Sequence, residues 1–164
     1  MPITLVVETG AGLENANTFQ SRAQLTARLE ASPFADAWAT VDVIKQDQCN
    51  AEAAAWMTRL GWEGIATTEL QALAWPRAWM ETVEGYPIAS NVIPTFVLDA
   101  HTRLAYWLAQ QASTPFADNG LAPGTELQLP GGLRLTPSSG VSLPPDVRAI
   151  LGPYLRGGNV VVRA

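Results

Sequence analysis

Two runs of apolar residues at helical spacing constrain this chain more than anything else in it. Cys49, Ala53, Trp56, Met57 and Leu60 fall at i, i+4, i+7, i+8 and i+11, and Val97, Ala100, Leu104, Trp107 and Leu108 form a second stripe. Residues three and four apart share one face of an α-helix, so each run predicts a long helix with a face that must be covered. The fold class that follows is mainly α: a small helical bundle of about four helices with a β-hairpin and extended N- and C-terminal arms. The second helix is predicted over 41–60, with Gly61 at its C-terminal cap. The third is predicted from Ile93-Pro94, with Pro94 at the first helical position, to about Gln111.

Shorter signals supply the remaining elements. Ser21 and Gln24 make an S-x-x-Q capping box ahead of Leu25 and Leu29, which predicts a first helix over 22–31. Pro145 opens a last helix carrying Val147, Ile150, Leu151, Tyr154 and Leu155, and Gly157-Gly158 stops it. Residues 3–7 are aliphatic or β-branched and run into Thr9-Gly10-Ala11-Gly12, a short strand or extended arm ending in a glycine turn. Leu127, Leu129, Leu133 and Leu135 alternate around Pro130-Gly131-Gly132, the pattern of a β-hairpin. Residues 34–38 read as a loop after Pro33, and 113–124 as a turn-rich surface loop. Pro76 and Pro87 forbid a long helix over 69–89, so that segment is expected to be irregular but ordered. The 164 residues fit one domain, with an arm over 1–20 and a tail over 157–164. The tail's Val160-Val161-Val162 has strand propensity but no partner inside a helical bundle. It either awaits a sheet edge or a neighbouring chain, or frays.

Composition narrows the function classes. With 48% hydrophobic and 15% charged residues the chain is globular, and so few charges leave apolar surface that is expected to lie against a partner. Net charge is −5 and the pI about 4.8, without any Lys/Arg cluster that would grip phosphates. Lys45 is the one lysine among ten basic residues. Arginine suits bidentate pairing with carboxylates at an interface, although a GC-rich genome would give the same bias. Cys49 is the one cysteine, so neither an intrachain disulfide nor a cysteine-based metal site can form, as suits a reducing cytoplasm. The start MPITLVVETG has no basic n-region, and no apolar run approaches the roughly 20 residues of a membrane span. A soluble, unexported chain with no membrane partner is expected.

The titratable inventory for catalysis is thin. His101 is the one histidine, and Asp99, two residues away on the same helix, points to another face. A boundary histidine that packs and makes one hydrogen bond is the favoured role. Cys49 lies on an apolar stripe as a small core residue. Gly10-Ala11-Gly12 lacks a third glycine and a Walker lysine, and the acid pairs Glu81/Glu84 and Asp42/Asp47 have no companions to complete a metal site. Hence no catalytic, cofactor-binding or metal-ligating residue is assigned, no cofactor is expected, and the chain is read as no enzyme. The six tryptophans could stack on single-stranded DNA, but that mechanism also needs a positive groove. Trp56, Trp75 and Trp107 sit in apolar contexts that suit the core; Trp38, Trp62 and Trp79 lie near element ends and are interface candidates.

Several spaced motifs carry a resemblance. Val7-Glu8-Thr9-Gly10-Ala11-Gly12 is followed by Asn15-Ala16-Asn17-Thr18-Phe19; then come Ala72-Leu73-Ala74-Trp75-Pro76-Arg77, Gly85-Tyr86-Pro87-Ile88 with Ile93-Pro94, and the Leu-rich hairpin with its terminal helix. Together they resemble the head-tail connector or adaptor proteins of tailed phages, head-completion or neck proteins, some of which are described as DnaT-like single-stranded-DNA-binding proteins. The resemblance spans nearly the whole chain. It departs at Thr9, where the family usually has Asp, and at Trp79-Met80, which are extra after Arg77.

The resemblance implies a single adaptor domain whose copies form a ring, expected to be a dodecamer, docked on the portal protein. The ring would extend the DNA channel and give the tail its attachment surface. Its partners would be portal, a tail or stopper/tail-terminator protein and sister copies, with double-stranded DNA passing through without specific binding. Its place would be the virion neck at the head-tail interface, after assembly in the host cytoplasm. Interface candidates are Asn159, Val160, Val161, Val162 and Arg163 in the tail, Leu129 and Leu133 in the hairpin, Arg77, Trp79 and the arm over 1–7. Trp75 is expected to pack on the long helices, and Arg77 to pair with a carboxylate of its own or a neighbouring subunit. The alternative is a single-stranded-DNA-binding accessory protein of phage replication.

Overall fold

The computed structural model describes residues 2–111, 127–128, 134–135 and 143–156. Its helices are α1 (Arg22–Glu30), α2 (Ala35–Ala39), α3 (Val43–Thr58), α4 (Thr95–Gln110) and α5 (Pro145–Leu151), the last running into a 3-10 turn at Gly152–Tyr154. The fold is mainly α, with one helix more than expected. α3 packs chiefly on α4, α5 covers another side of α4, and α1 touches both long helices. The two apolar stripes are the faces that meet: Cys49, Ala53, Trp56 and Met57 from α3, Val97, Ala100, Leu104 and Leu108 from α4. Ala53, Ala54, Ala100 and Ala105 are fully enclosed among them, small side chains that let the two helix backbones approach. Leu60 and Trp107, at the ends of the stripes, are only partly buried.

Helix ends follow local hydrogen-bonding chemistry. The expected capping box is present: Gln24 N donates to Ser21 Oγ at 3.2 Å and Ser21 N to Gln24 Oε1 at 2.8 Å. The helix expected over 41–60 begins two residues later, because Asp42 is its N-cap and Oδ1 accepts from Ile44 N at 2.9 Å and Lys45 N at 3.3 Å. Its end is capped by Arg59 rather than Gly61, which takes no left-handed conformation. The expected loop 34–38 is instead the short helix α2, and it buries Trp38. Pro94, extended at ψ 153°, is the N-cap of α4, so the first helical residue is Thr95.

Between α3 and α4 the chain folds into two short antiparallel ribbons, hereafter the β-lobe. β1 (Ile65–Ala66) pairs with β2 (Arg77–Ala78), Ile65 opposite Ala78; β3 (Met80–Glu81) pairs with β4 (Pro87–Ile88), Met80 opposite Ile88. Gly64, at φ 64°, is required where it stands, since a Cβ would lie 2.4 Å from Ala78 O. The expected late hairpin is seen in the antiparallel pairing of β5 (Leu127–Gln128) with β6 (Arg134–Leu135). Leu129, Leu133 and the tail candidates Asn159, Val160, Val161, Val162 and Arg163 lie outside the described residues.

Candidate interaction surface

The N-terminal arm lies on its own subunit. Val6 N donates to Asn17 Oδ1 at 2.8 Å, Asn17 Nδ2 donates to Thr4 O at 2.8 Å, and Glu8 N donates to Thr18 O at 2.8 Å. The Glu8 carboxylate is buried and turned into the glycine turn, accepting from Gly10 N (2.8 Å), Gly12 N (3.0 Å) and Leu13 N (2.7 Å). Successive backbone N–H groups of this kind form an anion cradle. Here the anion is the chain's own side chain, so the Gly10-Ala11-Gly12 turn is structural. Glu8→Gln keeps one acceptor oxygen where two served three donors, and it is expected to cost about 2 kcal/mol in a denaturant titration. A variant as stable as the parent would refute the cradle.

His101 is fully buried, deeper than the boundary position expected. Its Nε2 lies 2.9 Å from Asn50 O, which can only accept, so Nε2 carries the proton and Nδ1 accepts from Gln20 Nε2 at 3.0 Å. Phe19 meets the ring edge-on, with centroids 5.6 Å apart. Asn50 also binds Thr18 Oγ1 and Gln20 O, and Gln20 reaches Thr102, so the cluster joins the N-terminal loop to α3 and α4. Burial pushes the imidazole pKa down to about 4, against a smaller opposing effect of the Asn50 bond. A neutral, enclosed imidazole with no carboxylate beside it is suited to holding the bundle together. Burial likewise raises the Cys49 thiol, with Lys45 and Glu52 acting as smaller opposed charges. Among the described residues no three His, Cys, Asp or Glu side chains are grouped to hold a metal, and no helix is long and apolar enough to cross a membrane.

The tryptophans divide differently from the sequence expectation. Trp75 is in the core as expected, edge-on to Trp62 and to Phe96 of α4, both with centroids at 5.6 Å. Trp38 and Trp62, expected near an interface, are buried. An element end can bury an indole when its N–H finds an acceptor nearby: Trp38 Nε1 donates to Thr26 Oγ1 at 3.1 Å and Trp62 Nε1 to Met57 O at 2.7 Å.

Trp79 is the exception, 84% exposed. At φ 62° it is the one non-glycine residue with left-handed backbone among those described, a conformation that costs on the order of 1 kcal/mol. Ile65, Leu70, Val83 and Tyr86 from the same lobe are each more than half exposed. The lobe is held from beneath by Arg77, whose Nε, Nη1 and Nη2 donate to Glu63 O (2.7 Å), Ala74 O (3.1 Å) and Gly64 O (2.9 Å). Arg77 was expected to pair with a carboxylate; three converging carbonyls without strand partners take its donors instead. Its pKa is lowered by burial and by the neighbouring Arg156, which also donates to Gly64 O.

The other cations are engaged as well. Arg22, Arg28 and Arg103 pair with Asp47, Asp99 and Asp146, and Lys45 Nζ donates to Ala109 O. Among the cations whose side chains are described, only Arg59 and Arg148 make no such bond; both are exposed, Arg59 just past α3 and Arg148 on α5. In comparison with known proteins, residues 3–127 match the model of a family described as "Putative DnaT-like ssDNA binding protein". No curated protein and no solved structure matches the chain.

Proposed function

The chain belongs to that DnaT-like family, and with this as premise we propose that it is a phage head-tail adaptor: copies lie side by side in a ring on the portal, extend the DNA channel and offer a surface to the tail. The resemblance to phage connector proteins supports this reading; the family description itself names single-stranded-DNA binding, which supports a second reading. The observation that supports this reading most is the surface itself. Its five most exposed aromatic and aliphatic side chains gather in the β-lobe, while six of eight described cations hold the fold together, and the described residues form no cluster of free cations. A channel subunit has to let a duplex slide, and counterion-release binding would resist that. Portal, tail component and sister copies are the proposed partners, and the virion neck the proposed place. No catalytic role is proposed, since the one imidazole is sealed in the core.

The test is electron microscopy of the purified chain mixed with portal rings of the same phage. Rings stacked coaxially on the portals are expected, and bare portals at saturating protein would overturn the proposal. Deleting residues 159–164 is expected to leave a folded chain that no longer docks; normal decoration by the truncated chain would remove the tail from the contact.

A second reading, a single-stranded-DNA-binding accessory protein of replication, is supported by the family description and by the exposed rings of Trp79 and Tyr86, which could stack on bases. A salt series with oligothymidine separates the two. True binding to a single strand weakens with ionic strength, with a log-log slope of about −0.7 per phosphate neutralised. No binding is expected even at low salt, and a steep salt-dependent isotherm would favour the second reading over the first.

A further inference from the structure

We propose that the exposed face of the β-lobe, centred on Trp79, docks on the helical body of a second copy of this chain in a head-to-tail contact; this rests on the adaptor reading for the ring that such contacts would close. The first ground is that Trp79 is held in a left-handed backbone and is 84% exposed, with nothing among the described residues covering the ring. Aromatic side chains displayed in this way are the usual anchors of protein contacts.

Charge selects the occupant. The lobe presents Glu63, Glu69, Glu81 and Glu84, exposed and without an ion pair among the described residues, and Arg77 is committed to carbonyls beneath them. A nucleic acid would meet an acidic rim, and a lobe-to-lobe contact would set acids against acids. The helical body also exposes Glu30, Asp36 and Asp42, but both cations that the described fold leaves without a partner, Arg59 and Arg148, lie on it and are exposed, and these are the groups the lobe's acids would meet. Lobe against body is a heterologous contact, the kind that propagates from copy to copy and closes into a ring.

Size sets its strength. Trp79 and Tyr86 together offer on the order of 300 Å², well short of the roughly 800 Å² per partner of a stable complex. Two free copies are therefore expected to associate weakly and reversibly, and strongly only when neighbours are held side by side on a docking ring.

Sedimentation velocity of the full chain over a concentration series tests this. Concentration-dependent association is expected, weakened at least tenfold by Trp79→Ala, whose melting curve should match the parent because the ring is in solvent. Glu81→Arg with Glu84→Arg in one chain should weaken association, as should Arg59→Glu with Arg148→Glu, and the four changes combined in one chain should recover it. A chain that stays monomeric to millimolar concentration, or that associates equally well after Trp79→Ala, overturns the inference. So does oligothymidine binding that Trp79→Ala abolishes, which would make the face a stacking surface. Portal decoration separates this result from the adaptor reading: association through the lobe with bare portals sinks only the adaptor role, and decorated portals with a chain that stays monomeric, or associates equally well after Trp79→Ala, sink only the lobe contact.

Discussion

Trp75→Ala is expected to lower the stability of the chain by about 3 to 5 kcal/mol, the range for truncating a fully buried aromatic residue, and its melting temperature by roughly 10 °C. The ring stands where the β-lobe meets the bundle. It packs edge-on against Trp62 and Phe96, and Phe96 stacks on Tyr154 at 3.8 Å, so α4, the 3-10 turn and the lobe share one aromatic cluster. Removing the indole empties a space that Arg77 and the ribbons hold open, and collapse there would disturb the three carbonyl bonds of the guanidinium. Trp75→Phe supplies the control. The indole Nε1 is buried and has no hydrogen-bond partner among the described residues, so phenylalanine loses volume but no polar contact and is expected to cost less than half as much. Thermal and urea denaturation of both variants measure the difference. An alanine variant with an unchanged melting profile would remove Trp75 from the core, and equal losses for both variants would mean that the N–H matters more than the packing.

The parts of this fold legible in the sequence are those fixed by spacing along one helix. The α3 and α4 stripes and the Ser21/Gln24 box depend only on residues a few positions apart, and they came out close to expectation. What is not legible depends on hydrogen bonds, local or distant, that leave no apolar pattern in the sequence. Asp42 gives no apolar signal, so the pattern starts the helix early and leaves the short α2 before it looking like a loop. Trp38 and Trp62 looked like interface residues because they sit at element ends; acceptors on Thr26 and Met57, outside their local pattern, allow them to be buried. Arg77 resisted reading for the same reason, since the carbonyls it binds converge only after the ribbons form. Trp79 is an interface candidate in the sequence and an exposed ring in the structure, but nothing in the sequence tells of its backbone conformation or of the exposed acids on the same lobe. The one sequence signal for the buried cradle of Glu8 is a lone acid preceded by aliphatic residues and followed by two glycines.

Acid should weaken the chain through His101 in a window set by its two pKa values. In the unfolded chain the imidazole titrates near 6.5; in the folded chain burial holds it at about 4. Between those values the unfolded state binds a proton that the folded state refuses, so stability rises with pH across the interval and is lost as pH falls. Above 6.5 both states are neutral and the full contribution is present; by pH 4 it is largely gone, a loss of about 3 kcal/mol at 1.36 kcal/mol per unit. The groups bonded to the ring, Gln20 and the Asn50 carbonyl, are neutral, so no nearby carboxylate stabilises the imidazolium. Protonation of Nδ1 would also set an N–H against the Gln20 amide that now donates to it, which turns the cluster from a staple between α3 and α4 into a repulsion. Urea denaturation at pH 7, 5.5 and 4.5 measures the slope, and His101→Gln isolates the contribution of the histidine. The glutamine variant is expected to be less stable at neutral pH, where it loses ring packing, and to show a shallower decline toward acid. Parallel pH profiles for parent and variant would mean that the imidazole accepts its proton in the folded state and is reached by water.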